Sequence, residues 1–263
     1  MRASKHSALG NDFIVVDASD APDGADWPAL AVRWCGDGPG ADGLIVFRRT
    51  SETAMTMLLH NRDGSRAEMS GNGIRCLVQA ASARWGHSGP RIYEVSTEAG
   101  LRTVAIDEAG SVETVASVGM GEVRPLPEPA GWAALQCDPG RPVLHLSLGN
   151  PHSVVGVEDV RGVPLARLGG LVPHVNLEVV EQGPGTSEVT MRVHERGAGI
   201  TAACGTGACA SAWAARAWGL VAGTSVTVTM DGGSVVVRLD DPSPGSVTLV
   251  GPTRFVSEHD LVP

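Results

Sequence analysis

Basic residues are scarce in this 263-residue chain: Lys+Arg number 20 against 29 Asp+Glu, a net charge of −9. Nowhere do they gather into a cluster that would track phosphates, which argues against nucleic acid and anionic membrane as partners. No stretch approaches the roughly 18 uninterrupted apolar residues of a membrane span. The opening MRASKHSALGNDFIVVDASD has no apolar region ending in a small-residue cleavage site. These absences predict a soluble, cytoplasmic protein. The cysteines, Cys35, Cys76, Cys137, Cys204 and Cys209, are odd in number and irregularly spaced. A chain of this size needs no disulfide stapling, so free thiols are the default. Low-complexity tracts are absent, as are G-x-x-x-x-G-K-[ST], H-E-x-x-H, C-x-x-C and G-x-S-x-G. Gly71-Asn72-Gly73 lacks the third glycine and the following acidic residue of a dinucleotide site, so a nucleotide-binding function finds no support.

An apolar fraction of 43% with 19% charged residues is the composition of a packed globular protein. The length suits two domains of roughly 130 residues. Strand-forming segments dominate, at 13–19, 43–49, 53–60, 91–97, 101–107, 143–149, 188–195, 225–230 and 234–240. Their short connections favour antiparallel sheet over βαβ winding. A Pro- and Gly-rich region at 122–142 separates two halves, and a boundary near 112–125 follows, although the loop equally fits inside one domain.

Two segments, MSGNGIRC at 69–76 and ACGTGACA at 203–210, repeat one device. Each places Ser70 or Cys204 before a Gly-x-Gly turn that opens a helical pattern. In the first, Ile74, Leu77, Val78 and Ala81 recur at helical spacing up to Trp85-Gly86. In the second, Ala208, Ser211, Ala212 and Ala215 do so before Trp218-Gly219. The parallel suggests an internal duplication. A Gly-x-Gly turn at a helix start leaves N–H groups pointing outward, with the helix dipole behind them: an anion site. A thiol there has its thiolate stabilised, so Cys204 is a candidate reactive cysteine, against the alternative of a small buried filler. Asn61, Asp63 and Glu68 precede Ser70; His194, Glu195 and Arg196 precede Cys204, and Arg196 has the fork to hold a carboxylate. The loops around Asn11 and around Asn150 and His152 read as turns when taken alone.

Taken together, ALGNDFIVVD, NRDGSRAEMSGNGIRC, STEAG, LGNPH, VNLEVV, ERGAGITAACGTGACAS and the late GP-x-R-F resemble diaminopimelate epimerase, in the wider group that includes proline racemase. The motifs run in the family's order from about residue 5 to 255. The resemblance implies an α+β fold of two pseudo-symmetric domains, each a mostly antiparallel barrel-like sheet around a central helix, with the active site in the cleft between them. Mapped here, the domains are 1–115, with 251–263 packing back on it, and 116–250. It implies an isomerase that needs no metal and no pyridoxal phosphate, acts on a small amino acid substrate and forms a homodimer. Two devices then make sense, because inverting an α-carbon requires a base on one face and an acid on the other. By resemblance Ser70 and Cys204 occupy the two proton-transfer positions, and His152 and Glu195 match the pair that tunes the thiols. Asn11, Asn61, Asn150, Asn176, Arg196 and the backbone of Gly71, Asn72, Gly205 and Thr206 hold the substrate.

The match departs at Ser70, where the family has cysteine. A hydroxyl is a far poorer base than a thiol, so the exchange should cripple a two-base mechanism. Three accounts fit: a change made to trap a ligand, a natural variant whose serine serves one face slowly, or a different enzyme. Hydroxyproline epimerases and dehydratases of the proline racemase group also carry other residues here. GPGADG at 38–43 places Gly43 where a glutamine is expected to face the ligand, which leaves a racemase, epimerase or dehydratase of another amino acid as the alternative, beside a binding protein that lost its chemistry. Arg62 and His60 also depart from the usual motif, Arg62 as surface drift.

Overall fold

The computed structural model describes residues 1–262. The chain divides into two compact units: residues 1–118 with 251–263, and residues 119–250.

Unit 1 contains β1 (Arg2–Ala8), β2 (Asn11–Asp17), α1 (Trp27–Gly36), β3 (Gly43–Arg49), β4 (Ala54–Asn61), β5 (Arg66–Ala67), α2 (Gly71–Arg84), β6 (Arg91–Thr97) and β7 (Gly100–Ala109). It also takes most of β8 (Glu113–Glu122). Unit 2 contains β9 (Arg124–Pro125), β10 (Val143–Ser147), β11 (Pro151–Gly156), α3 (Leu165–Gly169), β12 (Asn176–Gln182), β13 (Glu188–Glu195), β14 (Gly199–Thr201), α4 (Gly205–Ala217), β15 (Ser225–Met230) and β16 (Gly233–Leu239). The long β17 (Ser246–Asp260) supplies residues to both.

In unit 1 the pairings run β1, β2, β3, β4, β6, β7, β8, β17 and back to β1, closing a barrel-like sheet. Unit 2 repeats the order from β10 through β11, β12, β13, β15 and β16 to β17. Most pairs are antiparallel. Four are parallel: β2 with β3, β4 with β6, β11 with β12, and β13 with β15. The mostly antiparallel sheet agrees with the expectation from sequence, and the parallel pairs have a simple cause. Parallel neighbours need a crossover, and each of the four helices provides one, α1 and α2 in unit 1 and α3 and α4 in unit 2.

α2 and α4 are the central helices. Every residue of α2 from Gly71 to Ser82 is buried, against β1, β2, β3 and β7. α4 is built of Ala208, Ala210, Ala212, Ala214 and Ala215, all buried, so that sheet can approach on several sides. A helix that is apolar nearly all round belongs in an interior, and α4 fits that rule; α2 lies equally deep although it carries Asn72, Arg75, Gln79 and Ser82. All five cysteines are free.

Candidate active site

Ser70 and Cys204 are the N-cap residues of α2 and α4. Both have extended backbone, and each side chain accepts the amide N–H three residues on: Gly73 N–H to Ser70 Oγ at 3.0 Å, Gly207 N–H to Cys204 Sγ at 3.4 Å. Serine is among the best N-caps and the sulfur is a weaker acceptor, so the same geometry is tighter in unit 1. Ser70 is half-buried and Cys204 buried. The third residue of each turn has little room for a side chain. A β-carbon at Gly73 would lie 3.2 Å from Ile45 Cδ1 and 3.3 Å from the Phe13 ring; one at Gly207 would lie 2.8 Å from Glu178 Oε1 and 3.3 Å from Cys204 Sγ.

Around Cys204 the residues named from sequence meet. Asn150 Nδ2 donates to Thr206 Oγ1 at 3.2 Å, its Oδ1 lies 3.0 Å from His152 Nε2, and Thr206 Oγ1 lies 3.5 Å from Cys204 Sγ. Asn176 Oδ1 accepts the backbone N–H of Arg196 at 2.8 Å, which fixes the turn after β13 and leaves the exposed Arg196 guanidinium at its tip. Gly205 is buried at the start of α4. His152 and Glu195 are not bonded to each other. His152 Nδ1 pairs at 2.6 Å with Glu178, both side chains 0% exposed, whereas Glu195 accepts the Thr201 hydroxyl at 2.5 Å.

The expected lowering of the Cys204 pKa is reversed. Burial pushes the thiol well above its ordinary value, Glu195 and Glu178 push it the same way, and the Thr206 hydroxyl and Gly207 N–H only partly offset them. The helix N-terminus acts in the direction the sequence suggested and is outweighed. The setting of Cys204 therefore favours the thiol over the thiolate. Burial likewise raises the Glu178 carboxyl, opposed by His152.

Around Ser70 the residues are more open. Asn11 Nδ2 and the Asp12 N–H both donate to Asp42 Oδ2 at 2.8 Å, and the exposed Asn61 donates to Ser65 Oγ at 3.0 Å. Gly71 and Asn72 are buried in the first turn of α2, with Asn72 Oδ1 accepting from Arg75 at 2.8 Å. Asp42, which the sequence reading passed over, ties the Asn11 loop to the segment before β3. Gly43 is not an emptied glutamine position in this backbone: a β-carbon there would sit 2.9 Å from the His60 carbonyl oxygen and 3.3 Å from Phe13.

A surface cavity of about 680 Å³ in unit 1 touches none of these residues. Three of its lining arginines are engaged, Arg2 with Glu258, Arg84 with Asp17 and Asp20, and Arg49 over the Trp85 ring. Among the described residues no three His, Cys, Asp or Glu side chains are placed to hold a metal, and no helix is long and apolar enough to cross a membrane.

The family model described as diaminopimelate epimerase matches residues 3–126 and 145–256. Proteins named diaminopimelate epimerase from Thermosynechococcus vestitus and Heliobacterium modesticaldum are each 39% identical, the first over 98% of both chains and the second over 99% of both. Among solved structures, a phenazine biosynthesis protein of the PhzF family from Bacillus anthracis superposes with a TM-score of 0.79 at 14% identity, covering 100% of this chain and 99% of its own. A hydroxyproline epimerase from Agrobacterium vitis does so with 0.66 at 16%, covering 99% and 90%. The structural neighbours share the fold, the sequence relatives are similar over nearly the whole chain, and the chain belongs to the diaminopimelate epimerase family, as an isomerase of the amino acid epimerase class.

Proposed function

We propose that the protein inverts the α-carbon of LL-diaminopimelate to give the meso form, without a cofactor, by proton transfer on opposite faces. The observation that carries this reading is the twin N-cap geometry: a buried thiol at one helix N-terminus, and a hydroxyl in the same backbone setting at another. The reading requires both N-termini to reach one substrate, one on each face of Cα. Free N–H groups and the dipoles at those termini suit the α-carboxylate and the negative charge that develops as the proton leaves. Cys204 returns a proton to the carbanion and becomes a thiolate that accepts the hydrogen bonds of Gly207 and Thr206. Ser70 serves the other face poorly, because a hydroxyl reaches its anion far less readily than a thiol.

The test is NMR of LL-diaminopimelate in D₂O with the protein and with its Ser70→Cys variant. Deuterium at Cα, slow with the parent and fast with the variant, is the expected result. If neither form exchanges that proton, diaminopimelate is not the substrate and other amino acids become the candidates.

A further inference from the structure

The strand register singles out Glu178. In unit 1 the parallel pair β2/β3 sets Phe13 opposite Gly43 and Val15 opposite Ile45; in unit 2 the parallel pair β11/β12 sets His152 opposite Asn176 and Val154 opposite Glu178. Phe13 and Ile45 therefore correspond to His152 and Glu178, and each pair lies at its own helix N-terminus. Packing is satisfied in unit 1 by two apolar side chains. Unit 2 spends the same two positions on a fully buried imidazole and carboxyl, at a desolvation cost, with Glu178 Oε2 lacking any partner.

Hydrogen-bond directions give that cost a purpose. The Asn150 amide donates through Nδ2 to Thr206 Oγ1, so its Oδ1 faces His152 Nε2 and accepts from it. Nε2 therefore carries hydrogen. His152 Nδ1 and Glu178 Oε1, 2.6 Å apart, then hold one proton between them, whichever atom bears it. At the far end Thr206 Oγ1, having accepted from Asn150, is free to donate to Cys204 Sγ. We propose that Glu178 is a positioning residue of the Cys204 device: with His152 it holds a single buried proton at the head of a hydrogen-bond relay through Asn150 and Thr206 that ends on the sulfur. As negative charge grows on the sulfur, the shared proton moves toward His152 and every donor in the relay strengthens. No proton travels the length of the relay; only its polarisation changes. The titratable groups facing Glu178 are His152 on β11, Glu195 on β13 and Cys204 at the head of α4, and Glu195 is committed to Thr201.

The role in turnover rests on the function proposed above; the relay does not. Two measurements on the full-length protein test it without any substrate. NMR of ¹⁵N-histidine-labelled protein should show a slowly exchanging, strongly deshielded ring proton, assigned to His152 by its loss in His152→Gln and absent from Glu178→Gln. A parent protein with no such proton overturns the proposal, and that observation needs no variant to fold. Alkylation of Cys204 by iodoacetamide, followed by peptide mass spectrometry, should slow about tenfold in Glu178→Gln and in Thr206→Val, one pKa unit each. The double variant should be no slower than the slower single variant, because both act through one chain of contacts. Additive effects, or faster alkylation in Glu178→Gln, would show that the carboxylate acts only through its charge and would overturn the relay. In the D₂O assay Glu178→Gln should lower kcat with KM nearly unchanged. Absence of exchange in every form would count against the proposed substrate and leave the other two readings intact.

Discussion

Beneath the N-terminus of α2 lie Phe13 and Ile45; beneath that of α4 lie His152 and Glu178. The backbone is the same device twice, down to the N-cap bond and the crowded glycine three residues on, yet one copy rests on an apolar floor and the other on a buried polar pair. The repeated backbone fixes where each group stands, and the floor beneath it sets that group's electrostatic surroundings. Burial is the largest cause that raises the Cys204 thiol; Ser70 is half-buried and caps α2 through the Gly73 N–H. The largest expected break of this comparison is Cys204→Ala. If the chemistry rests on unit 2, deuterium incorporation at the substrate Cα should fall by 10²–10⁴-fold, the usual worth of a positioned acid or base. Weak carboxylate binding should survive, because the N–H groups of α4 remain. Exchange at the parental rate would remove Cys204 from the reaction.

Exchanging the floors is the next test. Ile45→Glu places a carboxyl beneath α2 with no histidine to meet it, and an unpaired buried charge costs about 3–5 kcal/mol. The urea unfolding midpoint should drop accordingly. Adding Phe13→His should recover part of that loss, since the register sets position 13 relative to 45 as it sets His152 relative to Glu178. If the single variant is as stable as the parent, the apolar floor of unit 1 is not closed to polar groups and the contrast loses its physical basis.

Legibility in the sequence followed the same division. The central helices announced themselves through apolar spacing and Gly-x-Gly starts, and the structure places them at Gly71–Arg84 and Gly205–Ala217. β17 was harder, because Pro252 and Gly251 interrupt a strand that nonetheless runs from Ser246 to Asp260. α1 escaped notice: Trp27-Pro28 opens it and Asp26 caps it, a start signal set in a short apolar stretch with little periodicity. Of the candidate site, the asparagines and His152 were visible through motif resemblance. Glu178 was not singled out, although the sign was there. A glutamate between Leu177 and Val179-Val180, inside a strand buried along most of its length, must have a partner, and which partner depends on a parallel register that no local pattern encodes. The direction of the Cys204 shift was equally hidden, since a helix start is local but burial and the approach of Glu195 and Glu178 are tertiary.

Placing a thiol in unit 1 sharpens the comparison from the other side. Ser70→Cys keeps an acceptor for the Gly73 N–H and supplies a more acidic group, at a position less buried than that of Cys204. Exchange and epimerisation should rise on the order of 10²-fold. A rate that stays level or falls would mean the first unit has adapted around the hydroxyl, and the apolar floor would then belong to a different reaction rather than to a weakened copy of this one.

Ser70→Ala gives the smallest effect and separates capping from chemistry. The Oγ accepts the Gly73 N–H at 3.0 Å, and removing it orphans that donor at a costly helix end. A lost serine cap typically costs about 1 kcal/mol. Cys204→Ala should cost less through its cap, because a sulfur at 3.4 Å is the weaker acceptor. Thermal unfolding of the two variants side by side therefore reverses the order expected from activity: the serine matters more to the fold and the cysteine more to the reaction. Were Ser70→Ala to leave stability untouched while abolishing exchange, the hydroxyl would be a working catalytic base, and the functional asymmetry between the two floors would be smaller than their chemistry suggests.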